Sequence, residues 1–382
     1  MRIAIVTPFP PNSVGGVERF VFVLQQALES KGHTVTVFDR TSLPNQGRSV
    51  WQRLRLGDPK LAYDLGRRFQ ADAQSFDIVL CNGMYGWQVR FDPAVVVFHG
   101  TSAVAATASR GWFRWHTYVK FRYLYGFFHC LSAQGKIRVA VSQECADQWA
   151  RYHGLQVDGV IENAVDTSKF CPGSDRQALR QLFGLPPHRF LALFVGRPDR
   201  RKGFDIVRQV ARSLRQIGGE VVAALPCHGA IPSDGMIPLA GVPYEKMPQL
   251  YNACNAFFFP SRHEASSLAL LEAMACGLPI VASRVGAAMT IVERDPQLGR
   301  QFIPSWEPLL YADRLQALAQ SATLRHDIGV RGRRYVLQYH RLKQFGDSYV
   351  ALLERAVWAH RPHGVAPEAD ERAHLSASGV PN

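Results

Sequence analysis

With 382 residues, 47% of them hydrophobic, the chain is long enough for two domains that each bury a core, and no apolar run approaches the ~20 residues that cross a bilayer. Its 44 Lys+Arg against 31 Asp+Glu, a formal net charge of +13, fit an anionic partner: nucleotide phosphate, anionic lipid or nucleic acid. Seven cysteines, without C-x-x-C pairs or histidines at zinc spacing, predict reduced thiols and argue against a metal centre.

The start, Arg2-Ile-Ala-Ile-Val-Thr, is too short for a signal-peptide core and reads as a first strand, so the expected location is cytoplasmic, with a peripheral place on the inner membrane face as an option. That strand leads through Pro8 to Gly16 into a helix whose inner face carries Phe20, Val23, Leu24, Ala27 and Leu28. The paired Gly15 and Gly16 let backbone come close to a phosphate or a sugar. The run is Gly-Gly-Val-Glu-Arg, not the G-x-G-x-x-G of dinucleotide folds, and an ordinary strand-to-helix turn is the competing reading.

Further strands are expected at Thr34 to Phe38, Asp77 to Cys81, Ala94 to Phe98, Arg138 to Ser142 and Gly159 to Glu162. His99 ends the third of these at the carboxyl edge, where it either faces a ligand crevice or is a structural histidine. From Asp92 to Glu144 no acidic residue intervenes, while Arg110, Arg114, Lys120, Arg122, Lys136 and Arg138 are interleaved with Trp112, Phe113, Trp115, Tyr118, Phe121, Tyr123, Tyr125, Phe127 and Phe128. Such a stretch is either a core helix with solvated cations or, over 110–128, a surface for an anionic membrane; stacking on nucleic acid is the least favoured option.

Turn residues cluster at Phe170-Cys171-Pro172-Gly173-Ser174, the expected join between domain 1–172 and domain 173–341. A second strand series is predicted at Phe190 to Val195, Glu220 to Ala224, Ile237 to Ala240, Ala256 to Phe259 and Pro279 to Ala282, so the fold class is α/β with two successive doubly wound units. After Val195 come Arg197, Arg200, Arg201, Lys202 and Gly203; cations at a strand's carboxyl end suggest a diphosphate clamp, the alternative being a solvated basic loop.

Pro260 to Gly286 is the most informative stretch. Ser266 or Ser267 caps a helix over Leu268 to Cys276, which stops at Gly277 and Pro279. Glu272 sits among Leu268, Leu270, Leu271, Ala273 and Met274, so it needs a cation, a donor-rich ligand or an exit to water. Glu264, eight positions earlier, and the helix start at Ser267 and Leu268 complete the outline of a nucleotide-sugar site. Helical patterns over 325–339 and 342–360 then give way to 361–382, which lacks periodicity and is expected to be disordered.

Gly15-Gly16 with Glu18, Val195-Gly196-Arg197 to Lys202-Gly203, and Glu264 to Glu272-Ala273-Met274-Ala275-Cys276-Gly277-Leu278-Pro279 together resemble the retaining glycosyltransferases of family 4, over Met1 to about His360. The resemblance implies a GT-B fold: two Rossmann-like domains facing across a cleft, the last helix (342–360) crossing back to the first. It implies a nucleotide diphosphate sugar as co-substrate and no cofactor or metal; the expected donor is UDP-linked by preference with GDP-linked as the option, and the expected acceptor is a carbohydrate or lipid-linked one in cell-envelope or exopolysaccharide assembly. Carried over by residue, Arg197 and Lys202 hold the diphosphate, Glu272 the ribose, Glu264 the transferred sugar, and Gly16 approaches the diphosphate from the other side. His99 contacts the sugar near the reacting carbon, and it and Glu264 are the candidates for a chemical role. The chain departs from the family pattern at Ser266-Ser267, Ala164, Ala287 to Thr290 and Pro226 to Gly229, around the nucleobase and sugar pockets. An epimerase on the same fold and a non-catalytic sugar-nucleotide or RNA-binding protein are the competing functions.

Overall fold

A computed structural model describes residues 1–11, 13, 15–44, 57–108, 115–173, 175–226 and 235–360. The expected tail 361–382, Cys227 to Gly229, and Trp112 with its neighbours lie outside the described residues. The first sheet contains β1 (Arg2–Val6), β2 (Thr34–Phe38), β3 (Ile78–Asn82), β4 (Ala94–Phe98), β5 (Ile137–Ala140) and β6 (Gly159–Val160) in the order β2-β1-β3-β4-β5-β6. The second contains β7 (Phe190–Val195), β8 (Gly219–Leu225), β9 (Met236–Ala240), β10 (Ala256–Phe259), β11 (Ile280–Ser283) and β12 (Phe302–Ile303) in the order β12-β11-β10-β7-β8-β9. Every named pairing is parallel.

Burial follows strand position. The central strands β3 and β4 are buried at every residue, as a sheet covered on both faces requires, whereas edge strand β2 (TVTVF) alternates exposed Thr with half-buried Val. Pro238 is tolerated because β9 is also an edge. Strand β12, only two residues long, was not anticipated; it is too short to leave a periodic signal.

Two cores flank the first sheet and one surrounds the second. Phe20, Val21, Leu24 and Leu28 of the helix Gly16–Glu29 share the first core with Phe345, Tyr349, Leu353 and Ala356 of the final helix, Leu342–Ala359. The chain's last helix therefore packs on its first, as the GT-B arrangement requires. Phe170, at the expected join, is buried with Val165 in the second core, while Ala164 packs with the first. The passage between cores falls at 164–165, where Val165 N–H donates to His340 O across 3.0 Å beside the returning strand of chain.

Candidate active site between the two sheets

Each sheet has one point where strand order reverses, between β1 and β3 in the first and between β7 and β10 in the second. Loops leaving the carboxyl ends of adjacent strands diverge there and open a crevice. Gly15 and Gly16 follow β1, Asn82 ends β3, and His99 follows the neighbouring β4. On the other side Arg197 and Lys202 follow β7, and Glu264 follows β10. The topology thus gathers nearly every residue singled out in the sequence around one cleft.

Lys202 Nζ donates to Glu264 Oε1 over 2.6 Å, and Ser261 Oγ donates to the same oxygen over 2.6 Å. Asp199 shapes the basic loop from within, accepting from Lys202 N–H at 3.0 Å and pairing with Arg201 at 3.2 Å. Arg197 Nε is 3.6 Å from Asp199, but its side chain is 59% exposed and so remains available to a ligand. This is a preformed set of cations at a strand end, with Lys202 held by Glu264 and Arg201 by Asp199.

Ser267 is the N-cap of the helix Leu268–Ala275, its Oγ accepting from Leu270 N–H, while Ser266 Oγ is buried without a partner among the described residues. Glu272, in this helix, is only 6% exposed, which removes the option of an exit to water. Tyr251 OH donates to its Oε2 at 3.0 Å. Burial pushes the carboxyl up to about 7, against the Tyr251 hydrogen bond, the charge of Arg19, a hydrogen bond from Tyr244 and the charge of Lys169. Arg19 belongs to the first domain and lays its guanidinium over the Tyr244 ring, and Lys169 Nζ stands 4.3 Å from the centre of that ring. A carboxylate so placed gains from any additional donors that a ligand supplies.

From the first domain, His99 Nε2 is 2.9 Å from Asn82 Oδ1, and Phe20 abuts the imidazole edge-on at 4.5 Å between centroids. Burial, with a smaller contribution from His129, pushes His99 down to about 3, so the ring is neutral near pH 7. It then donates through Nε2 and can accept through Nδ1. Glu18, silent in the sequence beyond its motif, is 8% exposed and curls back over the start of its own helix. A Cβ on Gly15 would lie 1.9 Å from Glu18 Oε2, so only glycine allows that fold-back. Burial raises the Glu18 pKa, opposed by its own backbone N–H and by the charge of Arg197 across the cleft.

The loop bearing Glu264 is tied to the first domain by backbone. Ser142 Oγ donates to Ala265 O at 2.8 Å and Asn163 Nδ2 to Ser266 O at 3.3 Å. Behind the loop, Gly286 adopts φ 60°, and a Cβ there would stand 2.3 Å from Glu264 O. Tyr251, Tyr244, Lys169, Ser142 and His263 were not singled out in the sequence, and Arg19 and Asn163 were read only as members of the Gly-Gly-Val-Glu-Arg and Asn-Ala-Val-Asp segments; the roles of all seven come from the chain crossing the cleft. No group of three or more His, Cys, Asp or Glu side chains among the described residues is arranged to hold a metal ion.

Residues 14–169 match the family described as Glycosyltransferase Family 4, and residues 175–335 match Glycosyl transferases group 1. A D-inositol 3-phosphate glycosyltransferase of Salinispora arenicola is 31% identical over 243 residues, 57% of this chain and 52% of that protein. The chain spans about half the length of the curated relatives it matches. Among solved structures, sucrose-phosphate synthase from Thermosynechococcus elongatus superposes with a TM-score of 0.79 at 20% identity, covering 94% of this chain and 99% of that one. Anabaena HepE in complex with UDP and glucose gives 0.68 at 18% identity, over 93% and 99%. At such identities the likeness concerns the fold.

Proposed function

The chain belongs to glycosyltransferase family 4, and we propose that it moves a sugar from a nucleotide diphosphate sugar to a carbohydrate or lipid-linked acceptor, with retention at the anomeric carbon. The observation that carries this reading is the meeting of Arg197, Lys202 and Glu264 beyond the carboxyl ends of β7 and β10, with Glu272 in the helix that follows, opposite Gly16 after β1 and His99 after β4. Arg197 and Lys202 hold the diphosphate, Glu272 accepts from the ribose hydroxyls and Glu264 from the sugar. A UDP-linked donor is favoured over a GDP-linked one; the HepE structure, which holds UDP and glucose, supports that choice.

In this mechanism the bond from the anomeric carbon to the diphosphate oxygen breaks, and a bond to the acceptor oxygen forms on the same face. The departing phosphate oxygen takes the acceptor's proton. Arg197 and Lys202 stabilise the charge that builds on the leaving group, which is where fixed cations contribute most and where the resemblance leaves no step for a metal. His99, neutral and oriented by Asn82, positions the sugar instead of acting as an acid near pH 7.

The test is release of nucleoside diphosphate from a panel of UDP- and GDP-sugars, with and without acceptors that include D-inositol 3-phosphate. Release that requires an acceptor supports transfer. Isomerised sugar without acceptor supports an epimerase, and RNA binding without turnover supports a non-catalytic protein. Transfer undiminished in Arg197→Ala with Lys202→Ala would remove the clamp.

Docking at an anionic membrane, and hence a lipid-linked acceptor, is supported by one further observation. Trp115, Val119, Tyr123 and Phe127 are 78%, 43%, 63% and 58% exposed, at a spacing of four residues along helix 115–133. In an α-helix that spacing drifts by about 40° per step. The π-helical turn Lys120–Leu124 widens the middle of the helix and offsets the drift, leaving one apolar stripe beside Lys120 and Arg122. No helix among the described residues is long and apolar enough to cross a membrane.

A further inference from the structure

His263 immediately precedes Glu264 in the loop between β10 and the helix Leu268–Ala275, a position to which the family resemblance assigns nothing. Its half-buried ring reaches across the cleft: Nε2 lies 3.5 Å and Cε1 3.7 Å from the point where a Cβ would stand on Gly100, the residue after His99. Gly100 has φ 106°, a left-handed conformation that leaves this spot free of any side chain. The loop on which His263 rides is fixed from the first domain through Ser142 to Ala265 O and Asn163 to Ser266 O. Neither ring nitrogen of His263 has a hydrogen-bond partner among the described residues, although Glu264 and Lys202 are adjacent and bonded to one another.

We propose that His263 is a specificity-determining contact to the transferred sugar, hydrogen-bonding one hydroxyl of an uncharged hexose between Glu264 and the His99–Gly100 turn. This rests on the donor-site reading above. Burial holds the imidazole down to about 4, outweighing the opposing pull of Glu264, with Arg201 and Lys202 adding to the depression, so the ring meets a ligand as a neutral donor and acceptor. When Lys202 turns to the diphosphate, Glu264 is left as a carboxylate beside this neutral ring. A hydroxyl can donate to that carboxylate, whereas the carboxylate of a hexuronic acid would be repelled by it. The site therefore selects neutral hexoses on chemical grounds.

The experiment measures binding of UDP, GDP, UDP-glucose, UDP-galactose, UDP-N-acetylglucosamine and UDP-glucuronic acid to the full chain and to its His263→Ala and His263→Gln variants by calorimetry. The expected result is unchanged UDP affinity in all three proteins and a loss of about tenfold in the extra affinity of the preferred neutral UDP-sugar in His263→Ala, the scale of one hydrogen bond. His263→Gln, which keeps a neutral donor and acceptor, should recover part of that loss, and UDP-glucuronic acid should gain nothing over UDP in the wild type. The proposal is overturned if His263→Ala keeps the full increment, if UDP itself weakens as much as the UDP-sugar, or if UDP-glucuronic acid is preferred. Absence of UDP and GDP binding by the wild type would instead overturn the donor-site reading itself, and this proposal with it.

Discussion

Lys202 Nζ and Glu264 Oε1, 62 residues apart in sequence, are 2.6 Å apart in the cleft. The pair joins a residue proposed for the diphosphate to one proposed for the sugar, so a ligand at either one alters the charge that the other feels. Lys202→Ala should weaken UDP and UDP-sugars alike, by about ten- to a hundredfold for a lost charge-assisted hydrogen bond. Glu264→Gln should behave differently: UDP binds as well or better because Lys202 is released, while sugar transfer falls. Parallel losses in both variants, in binding and in turnover, would show that the pair serves the loop's structure and not the ligand.

At Glu272 the pH dependence has a definite sign. Its carboxyl titrates at about 7 in the fold against an ordinary 4.5, so the folded chain holds that proton more tightly than the unfolded chain. The favourable contribution of the bound proton is complete below pH 4.5 and is lost as pH rises to about 7, a change of about 3 kcal/mol. Glu272→Gln should flatten this part of the stability profile and melt higher than wild type at pH 8. Ribose hydroxyls favour the ionised form, so UDP binding at pH 6.5 should release a proton, read as a dependence of the calorimetric heat on the buffer. Equal release by wild type and Glu272→Gln would exclude a ribose contact at this carboxylate.

Both carboxylates were visible in the sequence because each breaks a pattern: Glu272 interrupts an apolar helix, and Glu264 stands before its cap. The strands were visible for the complementary reason, since parallel central strands such as β4, AVVVF, are apolar at every position. What sets the Glu272 environment was not legible. Tyr251 and Tyr244 belong to a different helix and turn, and Arg19 to the other domain, so their approach depends on packing that no local period encodes. The same holds at 164–170: the turn residues marked a join, but they carry no signal for which core takes Phe170, and its apolar surface packs in the second.

Gly286→Ala should separate strain from displacement. Its φ of 60° costs a Cβ-bearing residue about 1–2 kcal/mol, and the new Cβ would also press on Glu264 O from 2.3 Å. Gly135 has a similar φ, 64°, with nothing within 4 Å of its would-be Cβ, so Gly135→Ala carries the conformational cost alone. Thermal melts should show the larger loss in Gly286→Ala, and turnover should fall in that variant only. Equal melting losses with intact turnover in both would mean that Glu264 is not held in place by Gly286.

The exposed stripe from Trp115 to Phe127 makes a prediction independent of the donor site. The chain should co-sediment with vesicles containing phosphatidylglycerol at low salt, and release as salt screens Lys120 and Arg122. Tyr123→Ser with Phe127→Ser should abolish binding without lowering the melting temperature, since these side chains are 63% and 58% exposed and hold little of the core. Failure of the wild type to bind at low salt would leave the stripe without a membrane role.

Glu18 offers a test of the first domain's part in the site. Its carboxylate lies against Gly15, over the helix start that the resemblance assigns to the diphosphate, and it faces Arg197. A helix N-terminus attracts one anion well but two poorly, so the carboxylate and the diphosphate compete for the same field. Glu18→Gln should therefore bind UDP several-fold more tightly than wild type at pH 8. The advantage should shrink as pH falls, because burial raises the Glu18 pKa and the wild type neutralises itself earlier than an ordinary carboxylate. A loss of UDP affinity together with a lower melting temperature would identify Glu18 instead as a cap that the helix needs, and would move the diphosphate away from Gly16.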